Sequence, residues 1–442
     1  MKHSHYNFDI PDTGKYLVYN ALTGGFARLE CDEYEKYSSI NFEDTESDKE
    51  LLENLKKGGF ILPKDFDELK FIKDRLEGIK CNHKAVNMVI SPTMKCNLAC
   101  IYCYQNRDEF NEYPFMSQKT QEELVTFVKA LILDNTEDIE NLKVLWYGGE
   151  PLLALPILTN LTGKFIKMCE ELDIEYIADM VTNGTLISPK RAEELSHLKL
   201  RKFQITLDGD AATHNTKRIY KNGKGTFNQI LEGVKILIDH DFVVSLRVNI
   251  DETVEKNIDK LLDVLEEQDL KNKVNPYFGK LREFEHSSHQ WECYIRDIEG
   301  YSNTEQRLYE KVVKRGFRLA GYPFPKYAPC ASVVKYSNIS VDPEGYIYKC
   351  WHDIGVKAEA VGHVRSGFSE DIQKWLEYSP FHFEDCRSCK FLPVCMGGCP
   401  LFALNGKKEC ISIRYNIENY LKMVYNHKYC LQMPHQNSTE ER

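Results

Sequence analysis

The chain has no uninterrupted apolar run long enough to cross a bilayer and no basic-then-apolar leader at its start. These two absences speak against a membrane-spanning or exported protein, so a cytoplasmic location without a membrane partner is expected. Positive charge is also in deficit: 57 Lys and Arg face 67 Asp and Glu, for a formal net charge of -10. A general nucleic-acid binder would show a basic face. No nucleic-acid partner is therefore expected, and an enzyme acting on tRNA is disfavoured. Internal repeats and low-complexity tracts are missing too, apart from a polar end, His435 to Arg442, that is expected to fray.

What the chain has in quantity is cysteine, fifteen in 442 residues. In a reducing compartment so many thiols serve metals rather than disulfides. Cys96, Cys100 and Cys103 sit in one short loop, spaced Cx3Cx2C, with Tyr102 before the last. Three thiolates are one short of a closed structural zinc site, whereas a 4Fe-4S cluster held by three cysteines leaves one iron open to a non-protein ligand. Further on, Cys330 is followed by fourteen residues, Gly345, four residues and Cys350; then come Cys386, Cys389, Cys395 and Cys399, spaced x2, x5 and x3, and Cys410. Cys386 and Cys389 alone make an ordinary CxxC that would suit a zinc knuckle. Zinc, however, leaves the first triplet unexplained.

The triplet with Tyr102 resembles the signature of the radical S-adenosylmethionine (SAM) enzymes. In that family the free iron chelates the amino and carboxylate groups of SAM, and the reduced cluster cleaves it to a 5'-deoxyadenosyl radical. The later cysteines resemble the auxiliary-cluster domain called SPASM, found in maturases of ribosomally synthesised peptides. The resemblance implies three 4Fe-4S clusters and SAM as cofactors, a precursor peptide with its leader as substrate, and a reducing donor such as a flavodoxin or ferredoxin. It assigns Cys386, Cys389, Cys395 and Cys410 to one auxiliary cluster and Cys330, Cys350 and Cys399 to the other. No fourth cysteine lies between Cys330 and Cys350. An open auxiliary iron that a peptide thiolate would suit is implied, with Cys430, Cys293 or His352 as other candidates to close it. Cys31, Cys81 and Cys169 are read as small apolar groups. Trp351 follows Cys350 where sulfatase maturases of similar architecture carry an Asp base, which counts against that activity.

Three segments are expected. Residues 1–80 hold two β-prone runs from Lys15 to Leu29 around a Gly-containing turn, then helical patterns at Asp32–Tyr37, Asp48–Lys57 and Asp65–Ile79, with Gly58-Gly59 stopping the second. This resembles the winged-helix peptide-recognition element of peptide maturases; a plain N-terminal embellishment is the alternative. Within 86–320, β-rich runs alternate with amphipathic helices, the rhythm of parallel βα units. Strands are expected at Val86–Ser91, Leu142–Trp146, Tyr176–Val181, Phe203–Leu207, Val243–Ile250 and roughly Lys273–Phe278. Six strands suit the family's partial barrel, an α/β fold with its chemistry at the strand C-terminal ends. Residues 321–442 form the expected auxiliary-cluster domain.

Gly148-Gly149-Glu150-Pro151 matches the family's GGEP motif, whose backbone binds the SAM amino group; a Cβ would clash where ligand meets main chain. In isolation it is a turn. Thr182, Asn183, Gly184 and Thr185, by themselves a tight turn, fall where the adenosine would lie. Thr206 stands where the family usually has a ribose-binding Ser. Asp208 is the candidate catalytic carboxylate, or else a cap for the next helix. His214 and Arg218 form an H-x3-R arrangement whose guanidinium can grip a carboxylate; Arg247 and Asn249 compete for that role, and the two arginines are not ranked. The activity implied is hydrogen abstraction from a peptide carbon, an oxidation ending in a thioether or carbon-carbon crosslink, with the thioether favoured. A sulfatase maturase making formylglycine and a non-catalytic iron-sulfur electron carrier are the alternatives.

Overall fold

The computed structural model describes residues 1–81, 84–105, 113–134, 139–282, 297–319 and 323–427. Cys293 and Cys430 lie outside them. The chain divides into two compact units: Met1–Asn82 with Gly321–Val333 and Glu377–Arg442, and His83–Ala320 with Val334–Leu376. The segment 321–442, expected as one domain, is thus shared between the units.

In the first unit β1 (Lys2–His3) pairs antiparallel with β5 (Ile61–Leu62), while β2 (Asn7–Asp12), β3 (Lys15–Asn20) and β4 (Phe26–Leu29) form an antiparallel sheet. The expected hairpin is β3–β4; β2 was not foreseen, because Pro11 breaks its pattern, and Pro belongs on such an edge. Buried Asn20 builds the hairpin turn, its Oδ1 accepting the N–H groups of Leu22 and Thr23 at 3.0 and 2.9 Å. Helices α1 (Cys31–Ser39), α2 (Glu46–Lys57) and α3 (Glu68–Cys81) follow. Gly59 ends α2 in the left-handed region, φ 75°, as Phe60 N–H returns to Leu55 O at 2.9 Å. Tyr6, Leu17, Tyr19, Leu22, Ile72 and Leu76 share one core with Cys386, Leu392, Val394, Met396, Ile417 and Leu421. The N-terminal and C-terminal segments therefore fold as one body.

In the second unit six strands run parallel in chain order: β6 (Ala85–Ile90), β7 (Asn141–Trp146), β8 (Glu175–Val181), β9 (Leu200–Thr206), β10 (Val243–Ile250) and β11 (Val274–Lys280). They coincide closely with the strands read from the sequence. Closure does not occur, because the free side of β6 takes β12 (Ile339–Val341) in parallel, followed by β13 (Tyr346–Tyr348), β14 (Gly362–His363) and β15 (Gly367–Phe368). Helices α4 (Gln118–Leu133), α5 (Leu155–Leu172), α6 (Pro189–Ser196), α7 (Phe227–Asp239), α8 (Glu252–Glu267) and α9 (Ile298–Lys314) accompany the strands. Against the sequence reading, Pro151–Leu172 is long and apolar enough to cross a membrane. Here it is the crossover from β7 to β8, with Leu158, Leu161 and Phe165 fully buried, so its apolar character serves a protein core.

The period of two in a strand sorts the residues of β9 and β10. Phe203, Ile205, Val244, Leu246, Val248 and Ile250 are buried on one face. Gln204, Thr206, Arg247 and Asn249 take the other, with Thr206 and Arg247 as register partners.

Candidate active site

The cysteine loop leaves the C-terminal end of β6 and is fastened on two sides. Ala99 N–H donates to Ile219 O at 2.7 Å and Ile101 N–H to Lys217 O at 3.0 Å. On the other side Gly149 N–H reaches Thr93 O at 3.2 Å and Glu150 N–H reaches Lys95 O at 2.9 Å. A Cβ on Gly148 would stand 2.3 Å from Thr93 O, and one on Gly149 2.3 Å from Met94 O. Both glycines are therefore required by the approach of the cysteine loop itself. Pro151, buried, starts the helical turn that follows.

Glu150 ties the loop after β7 to the loop after β8. Its buried carboxylate accepts from Leu152 N–H at 3.0 Å, Thr182 Oγ1–H at 2.7 Å and Asn183 N–H at 2.7 Å. Burial holds the carboxyl above its ordinary range, against the pull of those donors. Thr182 and Asn183 are thereby fixed, and Asn183 Nδ2 donates to Asn97 Oδ1 at 2.8 Å and lies 3.8 Å from Cys96 Sγ. Leu98 N–H also points at that sulfur, 3.4 Å away. Burial, reinforced by the Glu150 carboxylate and the neighbouring thiols, pushes Cys96 up to about 12. Such a thiol releases its proton to solvent when a metal takes the sulfur.

Tyr102 is the hub beneath the loop. Its Oη donates to Asp208 Oδ2 and accepts from Arg218 at 3.1 Å and from Asn249 Nδ2 at 3.3 Å. Arg247 joins through Asn249, Nε to Oδ1 at 2.8 Å. The two competing arginines thus converge on one tyrosine, Arg218 directly and Arg247 at one remove. Asp208 Oδ1 also accepts Asn249 N–H at 2.8 Å. Both of its oxygens are engaged by protein donors, and the next helical turn is capped by Asp210 instead. His214 Nδ1 accepts the Asp208 N–H at 3.0 Å, which assigns the ring proton to Nε2, 3.0 Å from Thr226 Oγ1. Burial and the adjacent Arg218 and Lys217 cations keep that imidazole neutral.

These residues suit a cluster with an anionic ligand. Arg218 Nε is buried with no hydrogen-bond partner among the described residues, and such a donor is costly unless a ligand meets it. Two aromatic residues that the sequence reading passed over stand beside the loop. Tyr104, next to Cys103, shares a hydroxyl hydrogen bond with Tyr147, next to Gly148, and Tyr147 stacks on Trp351 at 5.9 Å and 16°. His352 meets the edge of Tyr104 at 4.9 Å. Adjacency to the motifs was the available signal.

In the first unit Cys386, Cys389, Cys395 and Cys410 line one recess. No group of three or more His, Cys, Asp or Glu among the described residues could hold a single metal ion. A cuboidal iron-sulfur cluster takes four thiolates, the number that this recess presents. Cys330 and Cys399 also belong to the first unit, and Cys350 to the second.

Residues 90–265 match the family described as Radical SAM superfamily. The chain is 25% identical over 342 residues to the cysteine-type anaerobic sulfatase-maturating enzyme of Clostridium novyi (strain NT), covering 72% of this chain and 88% of that one. It is 21% identical over 422 residues to the radical SAM cyclopropyl synthase TigE of Paramaledivibacter caminithermalis, covering 88% of this chain and 83% of that one. Among solved structures, native anSMEcpe with bound AdoMet and Cp18Cys peptide shares the fold, with a TM-score of 0.59 at 17% identity over 78% of this chain and 97% of that one. The chain therefore carries a radical SAM domain over residues 90–265, in an α/β fold with a mostly parallel sheet, and is related both to sulfatase-maturating enzymes and to a radical SAM cyclopropyl synthase.

Proposed function

We propose that this chain is a cytoplasmic maturase that joins two residues of a ribosomally made precursor peptide, by a thioether in preference to a carbon-carbon bond. The observation that carries the reading is the N-terminal sheet β2-β3-β4 followed by α1, α2 and α3, the order of a winged-helix-like peptide-recognition element. Pro11 removes a donor from the β2 edge, so leader addition as a further strand is expected at β4, where Arg28 is exposed. Cys96, Cys100 and Cys103 would hold the first cluster, with Arg218, Thr206 and Asn249 facing SAM. Bound and reduced, these groups supply a radical able to take hydrogen from a peptide carbon. Tyr102 and Asp208 hold the floor of that site, and Glu150 holds Thr182 and Asn183 in place. Cys386, Cys389, Cys395 and Cys410 would hold a second cluster, and Cys330, Cys350 and Cys399 would ligate a third. A flavodoxin or ferredoxin would supply electrons.

The relation to sulfatase-maturating enzymes favours a second reading, oxidation of a Cys or Ser to formylglycine. Against it stands Trp351, an indole stacked on Tyr147 where that activity would want a carboxylate.

Mass spectrometry of candidate precursor peptides, encoded beside this chain's gene and incubated with reconstituted protein, separates the two. A product lighter by two hydrogen atoms, with its sulfur retained and no aldehyde, is expected; an aldehyde product, whether two hydrogen atoms lighter at a Ser or with the cysteine sulfur lost, would transfer the assignment to sulfatase maturation. Deleting residues 1–80 is a poor test of leader binding, since it removes half the core that Cys386 and Leu392 need. Arg28→Glu is the better one. It should weaken peptide processing about tenfold, roughly 1.4 kcal/mol, and spare SAM cleavage without peptide; undiminished processing would clear the β4 edge of this role.

A further inference from the structure

Two cations stand on the cysteine recess of the first unit. Arg414 donates to Cys410 Sγ at 3.1 Å, and Lys408 Nζ lies 3.6 Å from Cys386 Sγ. Lys408 is held by the Asp385 carboxylate, Nζ to Oδ1 at 2.6 Å, and by the Phe383 ring at 4.9 Å; its side chain is only 21% exposed. Asp385 itself is 64% exposed, so water screens its charge more than that of the lysine. The backbone N–H groups of Ile411 and Gly397 also donate to the Cys395 sulfur. Three of the four sulfurs thus receive donors, two of them charged. Neutral thiols have little use for such partners, whereas cluster-bound thiolates gain charge-assisted hydrogen bonds.

We propose that Lys408 and Arg414 set the reduction potential of the cluster held by Cys386, Cys389, Cys395 and Cys410, raising it so that this site accepts an electron readily. The inference rests on the ligand assignment made above. Uptake of one electron from a low-potential reductant adds one negative charge to the cluster and its thiolates, with no bond made and no proton moved. Adjacent cations and hydrogen bonds to the sulfurs stabilise that added charge, which moves the equilibrium toward the reduced form. Asp385 opposes them, because its carboxylate offsets part of the Lys408 charge. The site is thereby built as an electron sink rather than as an inert staple.

The test is a dithionite titration of full-length, anaerobically reconstituted protein followed by electron paramagnetic resonance. It is run in a background with Cys96, Cys100 and Cys103 changed to Ala, so that only auxiliary clusters contribute. Lys408→Met with Arg414→Met should keep the iron content and lower one midpoint by the equivalent of at least tenfold in the one-electron equilibrium, about 59 mV. Asp385→Asn should raise the same midpoint. An unmoved midpoint at full iron content overturns the inference. Loss of iron from the double variant and from the milder Lys408→Gln also overturns it, by showing that the cations hold the cluster rather than tune it. If Cys386→Ala with Cys389→Ala leaves the iron content unchanged, the ligand assignment itself has failed, an outcome separate from a failure of tuning.

Discussion

The carboxylate of Glu150 accepts the backbone N–H of Asn183 at 2.7 Å, and through that bond the loop after β7 holds the loop after β8. The same buried side chain takes the Thr182 hydroxyl and the Leu152 N–H. Glu150→Gln would turn amide hydrogens toward at least one of these donors. We expect a loss of about 2–3 kcal/mol in stability, the scale of a charged buried hydrogen bond broken, together with poorer iron loading at the first cysteine loop. Urea denaturation and iron analysis check it; an unchanged midpoint with full loading would mean that the loops hold each other without Glu150.

The parallel strands were legible because each is a short apolar run between turn signals, and a run of that kind carries its fold locally. The reason for Gly148 and Gly149 was not, since it lies in Thr93 and Met94, more than fifty residues earlier in the chain. Glu150, Asp208 and Arg218 stand out in the sequence as candidates, but what they touch was hidden: hydrogen-bond partners such as Asn183 and Tyr102 are distant in sequence and leave no period. The same holds for Lys408 and Arg414, two lysine and arginine positions among 57. Strand β2 was missed through Pro11, a local signal outweighed by its ladder to Lys15–Asn20.

Iron and sulfide analysis addresses the cluster ligands as a set. Reconstituted protein is expected to hold about twelve iron atoms with matching sulfide, as three 4Fe-4S clusters require. Changing Cys96, Cys100 and Cys103 together to Ala should remove about a third of the iron and all reductive SAM cleavage. Stoichiometric zinc with negligible sulfide would sink the assignment, and surviving SAM cleavage in the triple variant would place the radical site elsewhere.

Asp342 gives the fold a pH dependence of definite sign. It is fully buried at the turn between β12 and β13, with Oδ1 accepting the N–H groups of Glu344 and Tyr346 at 2.9 and 3.0 Å and Oδ2 the Tyr348 hydroxyl at 2.9 Å. Burial outweighs those donors and raises its carboxyl from 3.8 to about 6. Between those values the folded chain keeps a proton that the unfolded chain releases, so stability from this group is complete below 3.8 and lost as pH rises through about 6. Two pKa units are worth about 3 kcal/mol in all, of which about 2 fall between roughly pH 4 and pH 7. Asp342→Asn cannot ionise and keeps an acceptor for the two N–H groups. Its stability relative to the native chain should therefore improve by about 2 kcal/mol over that interval. Denaturation of both proteins at the two ends of the range decides the matter: parallel stabilities would show that Asp342 is already ionised at the lower pH and that its three donors outweigh its burial.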